Sequence, residues 1–264
     1  MDMETKNKFI VGGCLVGIIA VMVFFLYRDL NNFAYGAKEE TVNKPTNVMT
    51  YTTSASLFMC GSIDNDSYDY SKVEAMLTNY DLSFINNEFN VEASTGEVEG
   101  VRYQVLVIED TQKDIDAISV DGYDLTVVAI KWNEADDTIS DHQKEVAQQL
   151  ADKNVSVVIG VGDEVAPMEW VDDTAIFYSL GKAAGDEGNV GMIASIRVTK
   201  SIAGDWIENE VSQAKADLIY TDENNTLIPF SQLLDQDEKY KEIYDKYTNH
   251  IGSLTDNIRF GGLE

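Results

Sequence analysis

The stretch 141–160, DHQKEVAQQLADKNVSVVIG, shows most directly how this chain folds. In its first part, Val146, Ala147 and Leu150 recur at helical spacing, which predicts an amphipathic helix over 141–153. Its second part, VSVVIG, is a short unbroken apolar run, which predicts a buried strand. A helix that leads at once into a buried strand is typical of an α/β fold with a mostly parallel sheet.

The same alternation continues on both sides of that stretch. Apolar runs predict strands over 55–61, 82–85, 101–109 and 123–132, and amphipathic stretches predict helices over 70–79 and 113–119. Beyond residue 160, apolar runs between Gly and Asp turns predict antiparallel strands over 175–180, 190–199 and 217–220, before a final helix over 235–251. We therefore expect a mostly parallel sheet covered by helices, with antiparallel pairing on one side of it.

A 19-residue run without a charge, Phe9–Tyr27, lies near the N-terminus. As a helix it would be roughly 28 Å long, close to the ~30 Å hydrocarbon core of a bilayer. Lys6 and Lys8 before the run, against Arg28 after it, favour a cytoplasmic N-terminus. The alternative is a cleaved signal peptide, but its apolar region is normally shorter and ends at a small-x-small site, which this run lacks.

These features predict four parts of the chain: a cytoplasmic tail (1–8), a single transmembrane anchor in contact with lipid (9–27), a polar linker (28–53) and an extracellular domain (54–264). The formal net charge is −27, and residues 1–27 contribute none of it. Such an acidic surface repels nucleic acid, so we expect no nucleic-acid partner. The charge is explained either by solubility or by work beside a polyanionic wall or capsule.

The two cysteines bear on the compartment. Cys14 lies in the apolar run, so the external domain has Cys60 alone and no internal disulfide. This argues against a small secreted disulfide scaffold. Cys60 itself stands in an apolar run, which predicts a buried core residue.

One block of sequence, 142–181, carries several motifs in a fixed order. They are Gln143 and Ala147 in the helix, Val158-Ile159-Gly160 at the strand end, then Pro167 and Glu169, and finally Tyr178-Ser179-Leu180-Gly181. Three weaker motifs precede the block: FMCGSI at 58–63, DLSFINNE at 81–88 and DLTVVAIKWNE at 124–134.

In order and approximate spacing, these motifs resemble those of the bacterial capsule synthesis family of CapA or PgsA type, which serves poly-γ-glutamate biosynthesis. The resemblance covers residues 55–200. It implies a layered α/β sandwich of the calcineurin-like metallophosphoesterase type, preceded by a transmembrane helix. The family's NNH segment has no counterpart, and a loop over 90–100 is expected in its place.

The resemblance also implies where metal-holding side chains would stand. In the active fold, Asp, Asn and His at strand ends hold two metal ions that clamp a phosphate and activate water. At the matching positions this chain has Ser62 for an Asp, Lys131 for a His, Gly162 in a turn that is otherwise His-rich, and Lys182 for an Asn. Asn86 and Glu88 are retained. We therefore expect no metal, no other cofactor and no catalytic residue.

The same positions predict a vestigial ligand-binding site, formed by Ser62, Asn86, Glu88, Lys131, Gly162, Glu164 and Lys182. His142 is expected to be exposed in a first helical turn, and His250 to lie near the negative end of the last helix dipole. Two acidic groups could bind a cation through oxygen atoms, although solvated loops explain them as well. They are Asp64 with Asp66, and Asp163, Glu164, Glu169, Asp172 and Asp173.

The leading hypothesis is a membrane-anchored, non-catalytic accessory or scaffold on the cell surface. Its partners would be capsule-synthesis or export proteins, or an extracellular polymer. The first alternative is an active metal-dependent hydrolase or ligase of the same family, with its site rebuilt from Asn86, Glu88, Asp64 and Glu164. The second is an unrelated surface protein, such as a wall-binding module.

Overall fold

The computed structural model describes residues 48–62, 67–77, 79–85, 93–133 and 138–263, together with Pro45. The predicted anchor, 9–27, lies outside these described residues, as does nearly all of the predicted linker. No helix within the described ranges is long and apolar enough to cross a membrane. Residues Val48–Glu264 form one compact unit.

The described residues form twelve strands and four α-helices. In chain order they are β1 (Tyr51–Cys60), α1 (Ser71–Leu77), β2 (Leu82–Ile85), β3 (Ser94–Val98), β4 (Val101–Glu109), α2 (Gln112–Asp116), β5 (Leu125–Lys131), α3 (Asp141–Asp152), β6 (Val157–Val161), β7 (Met168–Val171), β8 (Thr174–Phe177), β9 (Val190–Ala203), β10 (Trp206–Thr221), β11 (Leu227–Pro229), α4 (Glu238–Ile251) and β12 (Arg259–Phe260).

These strands form two sheets. The first has the order β11-β10-β9-β1-β2, with β12 beside β10; β1 and β2 are parallel, whereas β9, β10 and β11 are antiparallel neighbours. The second has the order β3-β4-β5-β6-β8-β7, in which β4, β5, β6 and β8 are parallel. The predicted α/β class is confirmed. Of the strands predicted to be antiparallel, 190–199 and 217–220 lie in the first sheet, whereas 175–180 corresponds to β8 and pairs parallel with β6 in the second sheet.

The two sheets face each other across the main core. Successive side chains along each strand point to opposite faces of its sheet, so alternate residues enter different clusters. Val127, Ala129 and Ile159 point into the space between the sheets. Val128 and Val158 point the other way, toward the apolar face of α3. The other face of the first sheet packs against α1 through a smaller buried cluster.

Local signals account for the helix at the centre of the predicted fold. Ser140 caps α3 by accepting a hydrogen bond from the backbone N–H of Gln143, and the Gln143 side chain returns one to the backbone N–H of Ser140. This reciprocal pair begins the helix at the predicted residue. Val146 and Leu150 are buried as expected.

Three elements differ from those predicted from the sequence. β1 begins at Tyr51, before the expected start, and β3 occupies part of the expected loop 90–100. β9 and β10 form a longer hairpin than predicted. The segment WIENEVSQAK pairs with β9 through its backbone, but its residues are mostly polar and exposed, so it contains no apolar run from which a strand could be predicted. Cys60 is buried as predicted, and burial raises the pKa of its thiol to about 12.

Candidate functional site

The carboxyl ends of β1, β5, β6 and β8 meet at one edge of the molecule, which we call the carboxyl edge. In α/β sheets this is the usual position of a binding site, because the loops that follow parallel strands converge there. Most of the candidate residues from the sequence follow these strands. The amino ends of β5 and β8 lie at the opposite edge, the amino edge.

At the carboxyl edge the two sheets are joined through their backbones. The N–H of Ser62 donates to the carbonyl oxygen of Gly181 (3.1 Å), and Ser62 in turn accepts from the N–H of Ala183 (2.9 Å). Ser62 and Lys182 thereby form an isolated parallel bridge. The approach requires glycine: a methyl group on Gly61 would lie 2.2 Å from the carbonyl oxygen of Gly181.

The Lys182 side chain bends toward the turn after β6. Its ammonium nitrogen lies 3.4 Å from a carboxylate oxygen of Asp163, and its backbone N–H donates to the carbonyl oxygen of Asp163 (3.2 Å). Asn189 donates from its side chain to the Lys182 carbonyl oxygen (2.7 Å). A cation therefore occupies the position at which the resemblance implies an Asn ligand.

Beside that turn lies a small cavity of about 10 Å³, lined by Trp132, Gln143, Gly162, Asp163, Glu164, Tyr178 and Ser179. Its volume is enough for about one water molecule. The Trp132 indole N–H donates to the carbonyl oxygen of Tyr178 (2.8 Å) and so ties the end of β5 to the end of β8. A methyl group on Gly160 would lie 1.8 Å from that same oxygen.

The structure brings only part of the predicted site together. Ser62 and Lys182 are adjacent, and Gly162 and Glu164 line the small cavity. Lys131 is exposed at the end of β5 and does not line that cavity. Asn86 and Glu88 lie outside the described residues, as do Asp64 and Asp66, so the convergence of all seven positions stays a prediction.

The described candidate positions do not fit a pair of metal ions. They offer a hydroxyl, two ammonium groups, a glycine and the single carboxylate of Glu164, whereas the chemistry that the resemblance implies needs several carboxylate, amide and imidazole ligands. No group of three or more His, Cys, Asp or Glu side chains in the described part of the chain could hold a metal ion.

The predicted acidic group around 163–173 has other partners. Asp163 pairs with Lys182, and Asp172 accepts a hydrogen bond from the side chain of Gln148 (3.4 Å). Glu169 accepts a hydrogen bond from the Tyr178 hydroxyl. Burial, together with this carboxylate, raises the pKa of the Tyr178 phenol, so Tyr178 acts as a hydrogen-bond donor and not as a base.

One polar pair at the carboxyl edge was missed by the sequence analysis. The Asp110 carboxylate is buried at the end of β4, and Nε2 of His142 lies 2.9 and 3.0 Å from its two oxygens. The backbone N–H of Asn133 also donates to it (3.3 Å). The available signals were an Asp that ends a strand and a His in a first helical turn, but 32 residues separate them.

The positions predicted for the two histidines are confirmed, and the structure adds the surroundings of each. His142 is half exposed, as a first-turn residue should be, but it is bonded to a buried carboxylate. His250 lies in the last turn of α4 as predicted. Its Nε2 atom is buried, and it has no hydrogen-bond partner among the described residues.

Comparisons with known proteins bear on this edge. A family model described as bacterial capsule synthesis protein PGA_cap matches residues 101–187. Among solved structures, a putative 5'-nucleotidase from Staphylococcus aureus in complex with alpha-ketoglutarate is similar, with a TM-score of 0.31 and 11% identity. That similarity covers 72% of this chain and 41% of the other, so the chain spans less than half the length of that protein. The comparison with curated proteins gave no match.

The matched range begins with β4 and includes β5, α3, β6, β7 and β8. It contains two of the motif segments that suggested the family, 124–134 and 142–181. It also contains the turns that carry Gly162 and Lys182. The resemblance seen in the sequence is thus confirmed over residues 101–187, which match the model of the bacterial capsule synthesis protein family.

Proposed function

We propose that this protein is a membrane-anchored, extracellular and non-catalytic accessory of capsule or poly-γ-glutamate synthesis or export. Its external domain would be a truncated sandwich of the metallophosphoesterase type. The family relation over residues 101–187 supports the link to capsule synthesis. The uncharged run Phe9–Tyr27 supports the anchor, with the N-terminus in the cytoplasm.

One observation carries the non-catalytic part of the proposal. At the carboxyl edge, backbone hydrogen bonds join Ser62 to the turn after β8 and place it beside Lys182, so a hydroxyl and an ammonium group stand together where the resemblance implies two metal ligands. The side chains that remain there include Lys182, whose charge opposes a metal ion. A surface of this kind suits the binding of capsule-synthesis or export proteins, or of an extracellular polymer.

The metal content of the purified full-length chain tests this proposal. After incubation with Mn²⁺ and Zn²⁺ and removal of free ions, we expect far less than one ion per chain and no hydrolysis of phosphate esters. Two tightly bound ions, with hydrolysis that is lost in Glu88→Ala, would instead establish the active enzyme of the same family.

A gain-of-binding variant sharpens the test. Ser62→Asp combined with Lys182→Asn restores the ligand types that the resemblance implies, so metal affinity should rise. The matched control, Ser253→Asp with Lys241→Asn, makes the same changes at exposed positions far along the chain. If both double variants fold by circular dichroism and bind metal equally, the carboxyl edge is not the family's former site.

The anchor is tested separately from the site. The full chain should sediment with membranes and resist extraction by high salt, because an apolar helix is held by the hydrocarbon core and not by charge. Protease added outside intact cells should remove the domain. Recovery of the chain in the soluble fraction would contradict the anchor while leaving the metal result unaffected.

A further inference from the structure

The amino edge of the molecule contains a groove of about 500 Å³. It is lined by β7, by the turn between β7 and β8, by the middle of β10 and by the segment that follows α4. Volumes of about 300–1,000 Å³ are usual for small-molecule sites. The groove lies at the opposite end of β8 from Lys182 and shares no lining residue with the small cavity there.

Irregular backbone shapes both walls of this groove. On one wall the register of β10 shifts between Ser212 and Lys215, and Gln213 takes φ = 56°. On the other wall Asp172 takes φ = 51° in the tight turn after β7. Both residues line the groove.

Trp170 supplies an apolar surface whose position is fixed. It is half-buried, and its indole N–H donates to the backbone carbonyl oxygen of Asn257 (3.1 Å). Because that donor is already used, the indole offers the groove ring surface and no free hydrogen-bond donor. The bond also holds the segment after α4 against β7.

The polar lining combines planar acceptors and donors. Asp172, Asp256 and Asn257 are exposed, as are Gln213 and Arg259. Carboxylates outnumber the single guanidinium in this lining, and the whole chain carries a formal charge of −27. A polyanion is therefore repelled from the groove.

From these features we propose that the groove binds a neutral glycan, with one sugar ring against Trp170. A pyranose ring has an apolar face of C–H groups and a rim of hydroxyls, so it needs an aromatic surface beside hydrogen-bonding groups. Trp170 supplies the first, and Gln213 and Asp256 supply the second. This site is additional to the proposed accessory function and does not depend on it.

Titration of the full-length chain with the tetramer of N-acetylglucosamine tests the inference by calorimetry. We expect saturable binding of one tetramer per chain. Poly-γ-glutamate should not compete, because its charge has the same sign as that of the groove. No saturable binding of the neutral tetramer, or displacement by poly-γ-glutamate, would overturn the inference.

Matched variants locate the binding. Asp256→Ala removes an exposed groove side chain, so affinity should fall about tenfold, as for one lost hydrogen bond to a charged group. Asp205→Ala makes the same change in the exposed β9–β10 turn and should leave affinity unchanged. Equal affinities in the two variants would contradict a site in the groove. Metal binding should be the same in both, which separates this test from that of the carboxyl edge.

Discussion

The two sheets are joined by different kinds of contact at the two edges of the molecule. At the carboxyl edge, backbone meets backbone at Gly61 and Gly181, and the neighbouring cavity holds about 10 Å³. At the amino edge, the sheets are joined by a buried ion pair between Lys200 and Asp124, and a groove of about 500 Å³ is open beside β7. Among the described residues, the contact at the carboxyl edge is made by closely packed backbone, whereas the contact at the amino edge is made by side chains beside a groove.

This contrast concerns the kind of contact that holds the two sheets together at each edge. The backbone contact at Gly61 and Gly181 leaves no space for a side chain between the segments that it joins. A side-chain pair holds the sheets at one point and leaves the neighbouring surface free. We therefore expect substitutions at the carboxyl edge to act on stability and those along the groove to act on binding.

The largest effect is expected at Gly160. In Gly160→Ala the new methyl group would lie 1.8 Å from the Tyr178 carbonyl oxygen and 2.1 Å from the Trp132 indole nitrogen. Both the close packing and the buried hydrogen bond between those residues would be lost, at a cost of about 3 kcal/mol or more in the free energy of unfolding. Urea unfolding followed by tryptophan fluorescence measures it.

Gly252→Ala is the matched control. The nearest side-chain atom, on Phe260, is 3.7 Å from the new methyl position, and φ is −80°, which alanine adopts readily. The free energy of unfolding should change by less than about 0.5 kcal/mol. Equal losses in the two alanine variants would show that the carboxyl edge is no tighter than a surface turn.

The next largest effect concerns the ion pair at the amino edge. The Lys200 ammonium lies 2.7 Å from Asp124 and also donates to the carbonyl oxygen of Gly100 (3.2 Å). Lys200→Met leaves a buried carboxylate with Arg102 as its remaining charged partner, so we expect a loss of about 2 kcal/mol. Lys144→Met, on the exposed face of α3, should change little.

A double variant identifies the cause of that loss. Adding Asp124→Asn to Lys200→Met removes the uncompensated charge, so part of the stability should return. If the loss of stability in the double variant equals the sum of the losses in Lys200→Met and Asp124→Asn, the two side chains do not interact. The amino edge would then be held by other contacts.

The pH dependence of stability should carry the signature of the same pair. Burial alone would raise the pKa of Asp124, but hydrogen bonds from Lys200 and Arg102 outweigh it and hold this pKa below its usual range. The pair therefore adds stability above the ordinary aspartate pKa of about 3.9, and this is lost as pH falls through the lower folded-state value.

Unfolding curves of wild type and Asp124→Asn between about pH 6 and pH 2 measure this contribution. The wild-type protein should lose its advantage over the variant as the solution is acidified. Their difference, and not either curve alone, is informative, because the chain has many other carboxylates. Two parallel curves would show that Asp124 has an ordinary pKa.

The elements of this fold were largely predictable because their signals are local. The strand over 101–109 was predicted with its observed bounds, and α3 begins with a capping pair visible in the sequence at Ser140 and Gln143. Residue patterns could not predict which strands belong to which sheet, because an apolar strand has the same sequence pattern in either one. A layered sandwich was expected only because of the family resemblance.

The sites were less predictable because they are built from distant parts of the chain. Asp110 and His142 meet only after β4 and α3 are in place. The groove combines Trp170, Gln213 and Asp256, which share no local pattern. At the carboxyl edge, the resemblance suggested Ser62, Gly162 and Lys182, but it gave no sign of the backbone contact between Gly61 and Gly181.

The smallest expected effect separates stability from binding at Gln213. Its φ of 56° costs a side chain about 1 kcal/mol or more, and glycine avoids that cost while losing more chain entropy on folding. Gln213→Gly should therefore raise the free energy of unfolding by about 0.5 kcal/mol, yet weaken binding of the N-acetylglucosamine tetramer. Asn225→Gly, at φ = 57° in a turn away from the groove, should leave binding unchanged and gain less stability, because asparagine tolerates this conformation. If Gln213→Gly gains stability at no cost in affinity, the irregular backbone of β10 serves only the sheet, and the groove loses one of the side chains that we assign to it.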